Sequence, residues 1–399
     1  MHLALICDDY YPDSTRVSAK MMHELACDFQ QNGHEVSVFC PSNNNLKTIE
    51  CLCIDGVRVY KFPNGPVKNV SKIRRAINES MLSINAWRHL SGIIKGNAID
   101  GVVYYSPSIF FGLIVKKIKK IWNCNSYLIL RDSFPQWLVD QNIIRKGGMA
   151  ERYFKLFEKI NYQSADSIGV MSQKNHEIFV ENFKHFKDKA EVLYNWASIS
   201  NIDNIEQSNL RSELGLENKI IFFYGGNIGH AQDMANIMRL VKGMKDYDNV
   251  HFLLIGQGDE VSLVQQYIFE HALKNCTYLP SISQEEYKAV LKCVDIGLFS
   301  LARNHSIHNF PGKLLGYMAN KLPILGSVNE GNDLKDVVSQ AGAGFIYTNG
   351  EDDQLLHAAI ELATSSQLRE AVGKKSLSLL NEKFTVMSAS SKILQSLNS

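Results

Sequence analysis

The 399-residue sequence predicts two doubly wound α/β domains facing each other across a cleft. Three observations carry this. Short apolar runs alternate with longer helical patterns, the mark of a parallel sheet covered on both faces. The alternation lapses near 195–209, where Asn, Ser and Ile replace the apolar rhythm, and then starts afresh. Glycine turns directly follow apolar runs in the second set, where ligands approach a sheet of this kind.

In the first set, strands are expected at 3–7, 35–39, 57–62, 101–105, 127–130 and 167–171. The first helix spans 14–31 and stops at Gly33, a C-terminal signal. In the second set, strands are expected at 220–224, 251–255, 277–279, 296–299, 323–325 and 344–347, with helices between them. The predicted domains are 1–195 and 196–380, with residues 381–399 forming a terminal helix that packs back on the first domain.

Composition bounds the function. Apolar residues make up 45% and charged residues 21%, which excludes a disordered, collagen-like or disulfide-stapled chain. With 42 basic and 41 acidic residues, the whole molecule is no polyelectrolyte binder of nucleic acid. The 8 cysteines form no C-x-x-C and are read as reduced, mostly buried thiols. Asp8 and Asp9 break the N-terminus too early for a signal peptide. The longest uncharged stretch, 101–115, is too short to span a bilayer and contains Pro107. These features predict a cytoplasmic protein.

The charge is uneven. Residues 61–121 carry eleven Lys or Arg against two acids, a net +9, so the rest of the chain is about −8. Along 110–122, Phe110, Phe111, Ile114, Val115, Ile118, Ile121 and Trp122 share one arc of a helix, with Lys116, Lys117, Lys119 and Lys120 opposite. A second helical pattern runs through Ile73, Ile77, Met81, Ile84, Leu90 and Ile94. Basic helices with apolar faces dock on anionic lipid, so peripheral attachment to the inner membrane is expected; the plainer reading is a solvated face of a core helix.

Three segments carry chemistry. Tyr224-Gly225-Gly226-Asn227-Ile228-Gly229 follows an apolar strand and precedes a helical pattern over 234–244. Glycines let a ligand approach the backbone, and a helix start offers free N–H groups to phosphate. No G-K-[ST] follows, so this is not a P-loop. Ile255-Gly256-Gln257-Gly258-Asp259 is a lone G-x-G, and the N-terminal strand lacks a dinucleotide fingerprint, which disfavours a nicotinamide enzyme. In Asn309-Phe310-Pro311-Gly312-Lys313, a Pro–Gly loop opens a helix with a lysine in its first turn. The helix dipole disfavours a cation there, so Lys313 makes sense facing an anion. Each feature also has a packing or solvation reading.

These segments, with Tyr278-Leu279-Pro280 and Gly316-Tyr317-Met318-Ala319 leading to Pro323-Ile324, resemble the GT-B glycosyltransferases of family 4. Those are retaining nucleotide-sugar transferases built from two Rossmann-like domains. Tyr10-Tyr11-Pro12-Asp13-Ser14 and the run from Arg131 to Trp137 are most similar to the bacterial O-antigen and capsule branch, including L-fucosamine transferases. The resemblance implies an acceptor-binding first domain and a nucleotide-sugar-binding second one. It implies that Gly225, Gly226 and Asn227 bind the donor diphosphate, with Gly256 in the same nucleotide set. The backbone around Tyr278 and Leu279 would hold uracil, and the loop of Asn309, Phe310 and Lys313 would hold donor sugar and phosphate.

The family's paired glutamates, seven residues apart, are absent: His308 and Gly316 stand there. His308, Asn309 and Asn332 are candidates to compensate. The usual basic residue after the glycine loop is also missing, His230-Ala231-Gln232 taking its place, so Lys313 or Arg16 would supply the cation over the phosphates.

The reaction implied needs no protein nucleophile. The acceptor hydroxyl attacks the face the diphosphate leaves, and Asp132 orients or activates it; its plainer reading is an ion pair with Arg131 or a turn cap. Asp8-Asp9 is a further acid at a strand end. Asp246-x-Asp248 lies at the wrong end of a strand for a metal, no histidine pair has metal-ligand spacing, and no cofactor or metal is expected. No Gly-x-Ser-x-Gly elbow points to a hydrolase. The predicted activity moves an N-acetylated hexose, plausibly 6-deoxy, from a UDP-sugar to a polyprenyl-diphosphate-linked glycan. The competing readings are a nucleotide-sugar epimerase of similar shape and a non-catalytic partner subunit.

Overall fold

The computed structural model describes residues 1–14, 16–42, 46–67, 70–106, 108–132, 134–140, 143–197, 206–304 and 310–399. The chain divides into two units, Met1–Trp196 with Val386–Ser399, and Ala197–Thr385.

The first unit runs β1 (His2–Ile6), α1 (Val17–Gln31), β2 (Glu35–Pro41), β3 (Glu50–Ile54), β4 (Val57–Phe62), α2 (Lys72–Ser80), α3 (Leu82–Gly96) and β5 (Gly101–Tyr105). It continues α4 (Gly112–Trp122), β6 (Asn125–Ile129), α5 (Gln136–Asp140), α6 (Met149–Ser164), β7 (Ser167–Val170), α7 (Gln173–Asn182) and β8 (Ala190–Val192). The sheet order is β3-β4-β2-β1-β5-β6-β7-β8. Among the described residues only β3 and β4 pair antiparallel.

The apolar strands are buried on both faces, and their two-residue period divides the core. Leu3 and Leu5 face α1 with Met22, Leu25 and Phe29. Ala4 and Ile6 face the opposite layer of Leu90, Ile114 and Ile118 from α3 and α4. The order reverses direction between β1 and β5, so their carboxyl ends form this unit's topological switch point.

The second unit runs α8 (Leu210–Glu213), β9 (Ile220–Asn227), α9 (Met234–Gly243), β10 (Val250–Gln257), α10 (Val261–Glu270), β11 (Cys276–Leu279), α11 (Gln284–Leu291) and β12 (Ile296–Ser300). Then come α12 (Lys313–Ala319), β13 (Ile324–Val328), α13 (Leu334–Gln340), β14 (Gly344–Thr348), α14 (Asp352–Thr364) and α15 (Ser366–Lys383). All strands are parallel in the order β11-β10-β9-β12-β13-β14, which places the switch point between β9 and β12.

The last helix, α16 (Val386–Asn398), belongs to the first unit. Its Ile393 and Leu397 enter the core beside α1, and Asn125 Nδ2 donates to the Leu397 carbonyl at 3.0 Å.

Two parts of the basic region differ from the helical reading of the sequence. The pattern from Ile73 to Ile94 breaks at Met81 into α2 and α3; Leu90 and Ile94 are core, while Ile77, Met81 and Ile84 are exposed. On α4 two of the four lysines are committed within the unit. Lys117 Nζ lies over the Trp87 ring at 4.6 Å, and Lys119 pairs with Asp166 at 2.6 Å. Among the described residues no helix is long and apolar enough to cross a membrane.

Candidate functional site

The carboxyl ends of β9 and β12 bring together most of the residues singled out in the second half. β9 runs through Gly226 to Asn227, three residues beyond the expected strand end. Gly226, at φ +116°, is exposed, in a conformation open to glycine. Among the described residues, the only side-chain atoms near its missing Cβ are Cε and Nζ of Lys313, each at 3.8 Å.

Lys313 is the first residue of α12. Its residue as a whole is half-buried, yet Nζ is shielded from solvent and finds no hydrogen-bond partner among the described residues. Instead Nζ sits 3.5 Å from the centroid of the Tyr224 ring. A cation over an aromatic face recovers only part of what water supplied. Burial therefore pushes the Lys313 ammonium down to a pKa of about 7. An anion brought to this Nζ would restore the charged form.

The same unit has a cavity of about 560 Å³ lined by His230, Asp233, Glu260, Ala302, Arg303 and Asn304. Its walls come from the segments after β9, β10 and β12, tied by the Ala302 amide donating to the Ala231 carbonyl at 2.9 Å. His230 is gripped by two carboxylates, Nδ1 against Glu260 at 2.9 Å and Nε2 against Asp259 at 3.2 Å. The hydrogen bond that its ring donates to Glu260, with the Asp259 charge, raises its pKa above the ordinary histidine value. His230 and Arg303 thus stand with the carboxylates of Asp233 and Glu260 around this cavity.

Several predicted residues serve the framework instead. The Gly225 amide donates to the buried Tyr317 hydroxyl at 3.4 Å, so it faces inward rather than toward a ligand. A Cβ on Gly256 would lie 1.8 Å from the Gly226 carbonyl oxygen, so this glycine is required by strand-to-strand approach. Gly258, at φ +154°, is closed in the same way by the Ile228 carbonyl. The α9 start is partly occupied: the Met234 amide donates to Glu260 Oε2 at 2.8 Å.

Asn227 and Gln232 bind each other through their side-chain amides at 2.6 Å. Tyr278 and Leu279 lie on β11, the sheet edge, where the Tyr278 hydroxyl donates to the Gly256 carbonyl at 3.1 Å. Phe310 is buried with its ring 4.6 Å from that of Phe384, a core contact rather than a sugar contact. A Cβ on Gly316 would meet Leu291 at 3.1 Å, so this position looks onto α11. Asn332 caps α13, its Oδ1 accepting from the Leu334 amide at 3.1 Å. His308 and Asn309 lie outside the described residues.

Arg16 and Asp132 belong to the first unit. Arg16 Nε stands 3.8 Å from the buried Asp9 carboxylate, which also accepts from Ser14 Oγ at 2.6 Å. Asp132 follows β6, half-buried. The guanidinium of its neighbour Arg131 donates to the carbonyls of Leu130, Gly169, Leu193 and Tyr194, clamping the ends of β6, β7 and β8. Beside the β1–β5 switch point, burial raises Asp8 to about 6. Among the described residues no cluster of three or more His, Cys, Asp or Glu could hold a metal ion, and Asp248 stands just before β10, with Lys219 Nζ donating to its carbonyl.

Two doubly wound units of this topology place the chain in the GT-B class of fold. Residues 206–378 match the family Glycosyl transferases group 1, a match that lies within the second unit. The chain is 23% identical over 220 residues to "Probable glycosyltransferase WbjE" of Pseudomonas aeruginosa, covering 55% of this chain and 54% of that protein. It is 23% identical over 270 residues to WcaI of Escherichia coli (strain K12), assigned to colanic acid biosynthesis as a glycosyl transferase, covering 65% of each. The matches thus span about half to two thirds of the length of these relatives. Anabaena Alr3699/HepE, solved in complex with UDP, superposes over 100% of both chains with a TM-score of 0.68 at 13% identity.

Proposed function

We propose that this protein is a retaining glycosyltransferase that moves a hexose from a UDP-sugar to a glycan in bacterial surface-polysaccharide synthesis. The observation that carries the reading is the shielded, unpartnered Lys313 Nζ beside Gly226 at the β9–β12 switch point. A diphosphate is the natural guest for a lysine held out of water with no counter-charge. The group 1 domain and the relatives named above support the activity class.

The donor sugar in this reading is N-acetylated and 6-deoxy, and the acceptor is a polyprenyl-diphosphate-linked glycan. The acceptor hydroxyl attacks the anomeric carbon as the bond to UDP breaks, on the same face. Its proton passes to the departing phosphate. Lys313, turning on its flexible stem from the Tyr224 ring, offsets the charge that develops on that phosphate. Asp132 orients the acceptor hydroxyl, with Arg16 as a second cation for the phosphates.

Calorimetry with UDP tests the reading. The wild-type chain should bind, and Lys313→Ala should weaken binding at least tenfold, the loss of one charge-assisted contact of about 1.5–3 kcal/mol. Unchanged affinity would remove Lys313 from the site.

A further inference from the structure

The sheet of the first unit ends in a strand edge without a guard. β3 is its terminal strand, and among the described residues β4 is its one neighbour in the sheet. The two-residue turn Asp55-Gly56 fixes the hydrogen-bond parity of this hairpin. Ile54 and Val57 close it, so Leu52 and Glu50 also bond to β4, while Cys51 and Cys53 turn their N–H and C=O groups to the open edge. Native sheets blunt such edges with lysines, prolines or bulges. β3 has no Lys, Arg or Pro, and each of its residues meets one residue of β4, without a bulge. Its one charge, Glu50, lies 3.8 Å from Lys61 Nζ, and Arg58 on β4 is paired with Glu35 at 2.9 Å. The strand therefore presents no unpaired charge to a second copy of itself.

The two residues that face the open edge also carry exposed thiols. Five of the eight cysteines are buried, whereas Cys51 and Cys53 are both exposed. They share the face of β3 opposite to Leu52 and Ile54, which pack on the α1 side of the core. Within one strand they stand about 6.6–6.8 Å apart with parallel side chains, beyond the Cβ separation of about 3.5–4.5 Å that a disulfide needs. Across an antiparallel pair the spacing changes. With a two-fold axis at Leu52, Cys51 of each copy stands directly opposite Cys53 of the other, at the Cα distance of about 5.5 Å of a hydrogen-bonded pair, which a disulfide spans. One such strand from each copy gives about four backbone hydrogen bonds and buries far less than the roughly 1,200 Å² of a stable interface. Pairing alone is therefore transient, and a covalent bond would hold it.

We infer that two copies of this chain join antiparallel through β3, continuing the sheet of one first unit into the other, and that Cys51 of each copy closes a disulfide with Cys53 of the other under oxidising conditions. With oxidised glutathione as the oxidant, the Cys51 thiolate displaces one glutathione thiolate and forms a mixed disulfide. Cys53 of the second copy, as thiolate, then attacks the Cys51 sulfur and releases the other glutathione. The protons of the two cysteine thiols end on the two glutathione thiols, so each bond formed consumes one oxidised glutathione and returns two reduced ones. Excess thiol reverses it. The inference needs no sugar transfer and stands apart from the activity proposed above.

Treating the full chain with oxidised glutathione tests it, read on non-reducing gels and by sedimentation velocity. The wild type should become a covalent dimer that dithiothreitol returns to monomer. Cys51→Ser alone and Cys53→Ser alone should each lower the crosslinked fraction about tenfold or more, because each leaves a serine opposite the remaining thiol. Mixing the two variants should restore the dimer, since Cys53 of the first then faces Cys51 of the second. In the oxidised dimer the amides of residues 50–54 should exchange hydrogen about tenfold or more slower than in the reduced chain. An unchanged melting temperature shows that the serine variants remain folded, as expected for exposed positions. A dimer that survives in either single variant, a mixture that fails to crosslink, or β3 amides left unprotected would overturn the inference. So would a monomer with Cys51 joined to Cys53 of its own chain, or one that carries only glutathione adducts.

Discussion

Lys313 shows how far one residue can be read before its surroundings are known. A lysine in the first turn of a helix stands against the helix dipole, and that local misfit is visible in the sequence. Its stacking on Tyr224, 89 positions earlier, is not, because only the fold brings β9 and α12 together. The same holds for Gly225, whose amide is taken by Tyr317. His230 was legible only as the residue standing where a basic one was expected; its pairing with Glu260 needed the β10 turn.

Glu158 gives a residue-scale prediction outside the site. It is buried on α6, accepts from the Tyr162 hydroxyl at 3.2 Å, and is raised by burial to about 7. In the unfolded chain it titrates near the ordinary glutamate value of about 4.3. The folded form therefore binds the proton more tightly. The stability this contributes is full below pH ~4 and is lost as pH rises through about 7. Glu158→Gln removes the ionisation. Its unfolding free energy should exceed that of wild type at pH 8, by roughly 3–4 kcal/mol at most, and the gap should close at pH 4. A gap independent of pH would show that Glu158 stays neutral or is solvated.

At the scale of elements, strands of apolar composition were readable, the edge strands β11 and β14 included, whereas β3 and β8, the edges of the first sheet, were not. β3 was missed although its signals are present. Glu50–Ile54 alternates in burial, and Asp55-Gly56 forms a two-residue turn with φ of 48° and 82° into β4. Asp-Gly between alternating segments is a strong hairpin signal, here masked by two cysteines and a glutamate in place of β-branched residues. The break at Met81 had no such signal, since neither Gly nor Pro marks it.

The glycine turns divide in the same way. Gly256 holds β10 against β9, so Gly256→Ala must push apart two backbones and should cost about 3 kcal/mol or more. Gly312, at φ −58° with no described residue within 4 Å of its missing Cβ, should accept alanine at no cost or gain about 0.4–1 kcal/mol. Thermal melting of the two variants separates them. Equal melting temperatures would contradict the close approach at Gly256.

For the whole molecule, two α/β units could be read from rhythm alone, because apolar strand and amphipathic helix each have a period. Strand order could not, since it depends on crossovers that no local pattern records. The terminal helix tests this organisation. α16 seats Val386, Ile393 and Leu397 in the core against α1 and β6, a gross burial of roughly 5–9 kcal/mol. That approaches the net stability of a typical domain, about 5–15 kcal/mol.

Deleting residues 386–399 should therefore unfold the first unit and spare the second. All 4 tryptophans, Trp87, Trp122, Trp137 and Trp196, lie in the first unit, so their fluorescence reports on it alone. The truncated chain should show solvent-exposed tryptophan emission in buffer, while limited proteolysis still yields a resistant fragment covering 206–385. Native emission and an unchanged urea midpoint would mean that α16 only rests on a core already complete without it.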